Sequence, residues 1–139
     1  VVATPQFGEM YFFRYDPKWK EKLPVWDEFP LILFAGPSRK RPENFIGFNL
    51  HYISIRQRVK ILSILDDMQN DDKYDDVMKQ RFIEYLMTEV TVKPCIKEYI
   101  PGHMRSMFYH IKREGWEAAA VIPDQENWKY KNGPGVRPY

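Results

Sequence analysis

The sequence has little of what would place it in several common classes of protein. It contains a single Cys, which excludes an intrachain disulfide framework and a zinc site built from cysteines. Its mean hydropathy is −0.56, and no apolar run approaches the ~20 residues of a membrane-spanning helix. Its first residues lack the layout of a secretory signal, which favours a soluble, intracellular protein with no membrane partner. The chain also begins without Met, which indicates a processed chain or a fragment.

Motifs for catalysis and metal binding are missing as well. No phosphate-binding glycine loop, nucleophile elbow or zinc-protease helix motif occurs in the sequence. The acidic stretch at residues 66–72 fails as a calcium loop, because the required glycine and final glutamate are absent at their positions. We expect no catalytic residue, no metal site and no cofactor. We interpret His51 as a packing residue that bonds to Asp27 or to a backbone group.

What is present is the composition of one globular domain that is rich in aromatic side chains. The chain has 139 residues, of which 44% are hydrophobic, 29% charged and 16% aromatic. Large aromatic rings supply anchors for a core or for an interface. We divide the chain into an N-terminal arm over residues 1–8, a single α+β domain over residues 9–123 and an extended C-terminal segment over residues 124–139.

Aromatic and β-branched residues predict most of the strands. These predicted strands cover residues 10–15, 31–34, 45–53 and 106–111. Residues 23–29 are predicted as a connection, and residues 116–122 as either a strand or a helix. Gly47, within a predicted strand, indicates a bulge or a close approach of the backbone.

Two helices are predicted between the strands. Ser54 and Gln57 have the spacing of a capping box, and the apolar period that follows predicts a helix over about residues 55–68. A second helix is predicted over about residues 72–89, where apolar residues mark one face. Pro94 prevents much continuation beyond its end. The predicted fold class is α+β, a small antiparallel β-sheet or partly open barrel with an inserted two-helix hairpin.

The charges are distributed unevenly along the chain, although the net charge is only +2. Residues 1–61 carry a net charge of +4, residues 62–99 one of −4 and residues 100–139 one of +2. A polyanion would therefore approach the first and last thirds, unless these charges are ordinary solvated surface. Six cations are the candidates for binding nucleic acid: Arg39, Lys40, Arg41, Arg56, Lys60 and Arg105. Arg58, Lys112 and Arg113 lie close to them in the sequence.

Three motifs in the first half of the chain resemble a known family. They are G-x-M-Y-x-F-x-Y-D-P-K from Gly8, L-P-x-x-D-x-F-P-L from Leu23 and G-x-N-x-H-Y from Gly47. Further matches follow at residues 93–95, 103–106 and 115–123. Together they resemble the DNA end protector protein family of large contractile-tailed bacteriophages, over roughly residues 8–128.

The resemblance implies a non-enzymatic virion structural protein at the head–neck region. Such a protein would bind or shield the packaged DNA end and would help head completion and head–tail joining. Its implied partners are a double-stranded DNA end and other virion proteins, such as portal, neck or tail components, in an oligomer within the particle. Its implied location is the virion, and the host cytoplasm during assembly.

Two alternatives remain at this point. The aromatic content and the Pro- and Gly-containing C-terminal segment suit a neck, tail or baseplate protein that acts only through protein–protein contacts. A metal-dependent DNA-processing enzyme has the weaker support of scattered carboxylates and His51.

Overall fold

The computed structural model describes residues 1–16, 25–70, 76–121 and 128–130. Within these residues the strands are β1 (Met10–Phe12), β2 (Val25–Asp27), β3 (Leu31–Pro37), β4 (Phe45–Asn49), β5 (Ile96–Tyr99), β6 (Tyr109–Ile111) and β7 (Trp128–Tyr130). The α-helices are α1 (Ile55–Asn70), α2 (Asp76–Thr88) and α3 (Trp116–Val121).

Five of the strands form one open antiparallel sheet. Their order is β5-β4-β3-β1-β6, and β2 pairs with β7 in a separate two-stranded sheet. Helices α1 and α2 are inserted between β4 and β5 in the chain. The predicted α+β class with an antiparallel sheet is therefore confirmed in its open form, and α3 is a third helix outside the predicted pair.

The start of α1 follows the predicted capping box. The backbone N–H of Gln57 donates to Ser54 Oγ at 3.3 Å, and the backbone N–H of Ser54 donates to Gln57 Oε1 at 3.2 Å. These two bonds satisfy amide groups that the first turn of a helix leaves without partners. Helix α1 continues to Asn70, two residues beyond its predicted end.

Some element boundaries differ from the predictions. Residues 25–27 form a strand instead of a connection, because they pair with a segment about a hundred residues later in the chain. The strand predicted over residues 45–53 ends at Asn49, whose side-chain oxygen accepts from the N–H of His51 at 3.0 Å and starts a 3₁₀ turn at Leu50–Tyr52. The start of the second predicted helix lies outside the described residues.

The two faces of the five-stranded sheet carry different cores, because successive side chains of a strand point to opposite faces. On one face, strand residues such as Met10, Leu33 and Phe48 pack against the helices. The other face carries a cluster of rings in edge-to-face and stacked contacts: Tyr11, Phe13, Tyr15, Phe45, Tyr99 and Phe108. This cluster holds six of the aromatic residues of the sequence, which contains 4 Trp, 9 Tyr and 9 Phe.

Gly47 marks a close approach within the sheet, as predicted. A Cβ atom at this position would lie 2.9 Å from Cδ1 of Ile32. The bulge lies on the neighbouring strand, where the β3–β4 register shifts between Phe34 and Pro37. Gly36 lies within that shift with a φ of +91°, a conformation that favours glycine.

Candidate nucleic-acid interface

The loop between β3 and β4, residues 38–44, carries three of the predicted cations and is called here the hairpin loop. It is anchored to β5 by the carboxylate of Glu98, which accepts hydrogen bonds from three of its side chains. The donors are Ser38 Oγ at 2.6 Å, Asn44 Nδ2 at 2.9 Å and Arg41 Nη1 at 3.0 Å. One carboxylate therefore holds both ends and the middle of the loop.

Backbone contacts fix the same loop from within. The N–H of Ser38 donates to the carbonyl of Asn44 at 3.0 Å, and the N–H of Asn44 donates to the carbonyl of Arg41 at 2.8 Å. Ser38 and Asn44 are buried, with relative exposures of 4% and 6%. Arg39 and Lys40 are exposed between these anchors. The structure therefore displays two cations on a short loop of defined conformation.

The electrostatics of Glu98 follow from these contacts. Hydrogen bonds from Ser38 and then from Asn44, with a smaller contribution from Arg41, lower the pKa of Glu98 to about 2. Glu98 is therefore a carboxylate at neutral pH, and it compensates the charge of Arg41, its ion-pair partner at 3.0 Å. Arg39 and Lys40 form no ion pair with another described residue.

The other predicted cations lie on two further elements. Arg56 and Lys60 are exposed and one turn apart on α1, so they share a side of that helix. Arg105 follows β5 and is exposed. Its Nη2 lies 3.6 Å from Asp16 Oδ2, and its Nη1 donates to the carbonyl of Gly102 at 3.1 Å.

Two cations that accompany these residues in the sequence have structural contacts instead. Arg58 is fully buried, and its guanidinium donates to the carbonyls of Ile53 at 3.1 Å and Ala120 at 3.2 Å. Arg113 pairs with Asp66 at 3.3 Å and is half-buried. Burial removes Arg58 from any contact with phosphate.

A groove runs between the hairpin loop and α2, and it is called here the hairpin groove. Its volume is about 740 Å³, and its lining includes Arg39, Lys40, Gln80, Ile83 and Glu84. The sequence alone did not reveal this groove or the role of Glu98. The spacing of Ser38, Asn44 and Glu98 spans two strands and two helices, so no local pattern could have connected them.

The buried polar cluster around His51 was the other candidate site from the sequence. Nδ1 of His51 bonds to Oδ2 of Asp27, the contact that the packing interpretation predicts. Burial, and then the charge of Asp27, raise the pKa of Tyr52 to about 12 and also raise the pKa of Tyr99. The hydrogen bonds of the cluster join β2 to the end of β4 and to β5. Among the described residues, no group of three or more His, Cys, Asp or Glu is arranged to hold a metal ion.

No helix within the described ranges combines the length and apolar character that crossing a membrane requires.

Comparison with known proteins gives one family. The model of the phage T4 terminal DNA protecting protein family matches residues 1–132 of the chain. No curated protein and no solved structure is significantly similar to the chain. The match covers almost the whole sequence and agrees with the resemblance drawn from its strand motifs, so the chain belongs to the phage T4 terminal DNA protecting protein family.

Proposed function

We propose that this protein is a non-enzymatic virion structural protein that binds and shields the end of packaged double-stranded DNA. The observation that carries the proposal is the family match over residues 1–132. In this proposal the protein acts at the head–neck region, where it helps head completion and head–tail joining. It is present in the virion, and in the host cytoplasm during assembly. Its other partners are portal, neck or tail components, with which it forms an oligomer.

The exposed cations support DNA contact. Neutralising phosphates with Lys and Arg releases counterions, which supplies most of the sequence-independent affinity for DNA. Arg39 and Lys40 suit this task, because they are exposed on a loop that is already fixed by Glu98. Arg41, Arg56, Lys60 and Arg105 complete the proposed set, with Arg41 and Arg105 partly compensated by carboxylates. A protein bound at a DNA terminus protects it by blocking access, with no chemical step.

The test is protection of linear DNA from an exonuclease that degrades duplexes from their ends. With the protein bound we expect full-length linear DNA to survive. A double variant, Arg39→Ala with Lys40→Ala, should lose most of this protection at moderate salt. The matched control is Arg81→Ala with Lys93→Ala, which removes the same charge from two exposed positions outside the proposed set.

Two results would contradict the proposal. One is degradation of linear DNA at the same rate with and without protein. The other, seen with an exonuclease that also digests from nicks, is equal inhibition on a nicked circle, which has no duplex end, because that result would indicate a direct effect on the enzyme. The location within the particle has its own test. Labelled protein should be found at the head–neck junction of assembled particles, and labelling at the distal end of the tail would refute that part.

A second candidate function, contact with proteins alone, is favoured by exposed apolar residues on α2. Val77, Met78 and Tyr85 have relative exposures of 53%, 37% and 57%. Exposed apolar groups in proximity mark interaction surfaces. Under this alternative, Val77→Lys with Tyr85→Lys should abolish incorporation into particles without changing DNA protection, and normal incorporation would count against it.

A further inference from the structure

The hairpin groove has walls of different chemistry. Arg39 and Lys40 stand on one wall, and the exposed Gln80 and Glu84 of α2 stand on the other. Most of the remaining lining is apolar and includes the half-buried residue Phe7, while Ser38 and Thr88 are polar. A groove of this kind suits a ligand that combines an anionic group, a polar edge and a flat apolar surface.

We propose that the hairpin groove binds unpaired nucleotides at the terminus of a DNA duplex, an inference that rests on the proposed function and narrows its substrate. An unpaired nucleotide has all three features: a phosphate, a base edge that donates and accepts hydrogen bonds, and a base face that stacks on apolar or aromatic groups. The groove volume of about 740 Å³ lies within the range of about 300–1,000 Å³ for sites that hold small organic ligands.

The charges of the two walls set the orientation of the nucleotide. Glu84 repels phosphate, whereas Arg39 and Lys40 attract it, so the phosphate lies against the hairpin loop. The base edge then faces Gln80 and Glu84, whose side chains are acceptors and donors of the type that contact bases. A base within the duplex cannot enter the groove, because its Watson–Crick edge is engaged with the other strand and its faces are covered by the neighbouring base pairs.

The cationic wall is formed before any ligand binds. Glu98, Ser38 and Asn44 hold the hairpin loop by the hydrogen bonds described above. Binding to a preformed site loses less free energy to the ordering of side chains and loops. A short single-stranded terminus can therefore bind measurably better than a blunt end, although it adds only one or two nucleotides to the contact.

The experiment compares duplexes of one sequence that end blunt, in a short 3′ overhang or in a short 5′ overhang. Dissociation constants are measured by fluorescence anisotropy at fixed salt, with the full chain. Stacking of an additional base on a protein surface gives an expected preference of about tenfold for at least one overhang over the blunt end. Equal binding of all three duplexes would overturn the inference.

A charge variant locates the preference. Gln80→Glu adds a carboxylate to the α2 wall of the groove beside Glu84, and we expect the added repulsion of phosphate to remove the overhang preference while binding to blunt ends remains. Val77→Glu is the matched control, because Val77 is exposed on the same helix but does not line the groove. A Gln80→Glu protein that folds, as judged by circular dichroism, and keeps the preference would also overturn the inference.

The outcomes separate this inference from the proposed function. Protection of blunt and overhanging ends to equal extents would leave the proposed function intact and remove the groove from it. Failure to protect any linear duplex would remove the proposed function itself.

Discussion

Nδ1 of His51 lies 2.5 Å from Oδ2 of Asp27, and only 3% of each side chain is exposed. The same carboxylate accepts from Asn49 Nδ2 at 3.1 Å and from the backbone N–H of Phe29 at 3.0 Å. Asn49 Nδ2 also donates to the hydroxyl of Tyr99 at 3.2 Å. Asp27 thereby connects β2 to the end of β4 and, through Asn49, to β5.

Removing the carboxylate of Asp27 should destabilise the protein strongly. Asp27→Ala leaves the buried polar groups of His51 and Asn49 without this acceptor, and each such group costs about 1–3 kcal/mol. We expect the free energy of unfolding, measured by urea titration, to fall by about 3 kcal/mol. Glu43→Ala, at an exposed position, is the control and should change it by less than about 0.5 kcal/mol. A loss equally small in Asp27→Ala would show that the cluster contributes little.

Stability should depend on pH through Glu98. Its pKa falls from an ordinary value of 4.5 to about 2 on folding, chiefly through hydrogen bonds from Ser38 and Asn44. A carboxyl group whose pKa is lowered in the folded state stabilises the protein above its unfolded pKa, and this contribution is lost as the pH falls through the folded pKa. The contribution of Glu98 is therefore complete above pH 4.5 and disappears on acidification towards about pH 2.

Glu98→Gln isolates this effect. The difference in unfolding free energy between the wild type and the variant should be constant above pH 4.5 and should shrink as the pH falls towards about 2. Because 27% of the Glu98 side chain is exposed, solvent screens the interaction and the difference should be modest. A difference that stays the same across this pH range would show that the carboxylate does not anchor the hairpin loop.

The sequence predicted local features better than contacts between distant residues. Ser54, Gln57 and the apolar period after them predicted the start of α1, because capping and helical periodicity depend on neighbours three or four residues away. Strand β2 was missed, since its hydrogen bonds come from β7 near the other end of the chain. Glu98 was missed as a site residue for the same reason, and Arg58 is buried against the carbonyls of Ile53 and Ala120 in a way that no local pattern indicates.

A side chain at Gly47 should strain the sheet. A Cβ atom there would lie 2.9 Å from Cδ1 of Ile32 and 3.0 Å from its Cβ. Overpacking of a close-packed core costs about 1–3 kcal/mol, so Gly47→Ala should lower the melting temperature and the unfolding free energy accordingly. Gly102→Ala is the matched control, because no atom lies within 4 Å of its added Cβ.

A second substitution tests the cause of this loss. Ile32→Val removes the Cδ1 atom, so it should recover part of the stability of Gly47→Ala when the two are combined. A double variant whose loss equals the sum of the two single losses would indicate that the strain lies in the backbone and not in contact with Ile32.

The buried Arg58 and the exposed Arg39 should contribute differently to stability and to DNA binding. Arg58→Met removes two hydrogen bonds from a charged donor to buried carbonyls, which should lower the unfolding free energy by about 3 kcal/mol. Arg39→Met removes an exposed cation and should leave stability within about 0.5 kcal/mol of the wild type.

The salt dependence of DNA binding should show the opposite order. The slope of log K against log salt should fall by about 0.9 in Arg39→Met, as one phosphate contact is lost, and should not change in folded Arg58→Met. The slope for Arg41→Met should lie between the slopes for Arg39→Met and Arg58→Met, because Glu98 already compensates the charge of Arg41. Equal slopes for the wild type and Arg39→Met would place the DNA contact away from the hairpin loop.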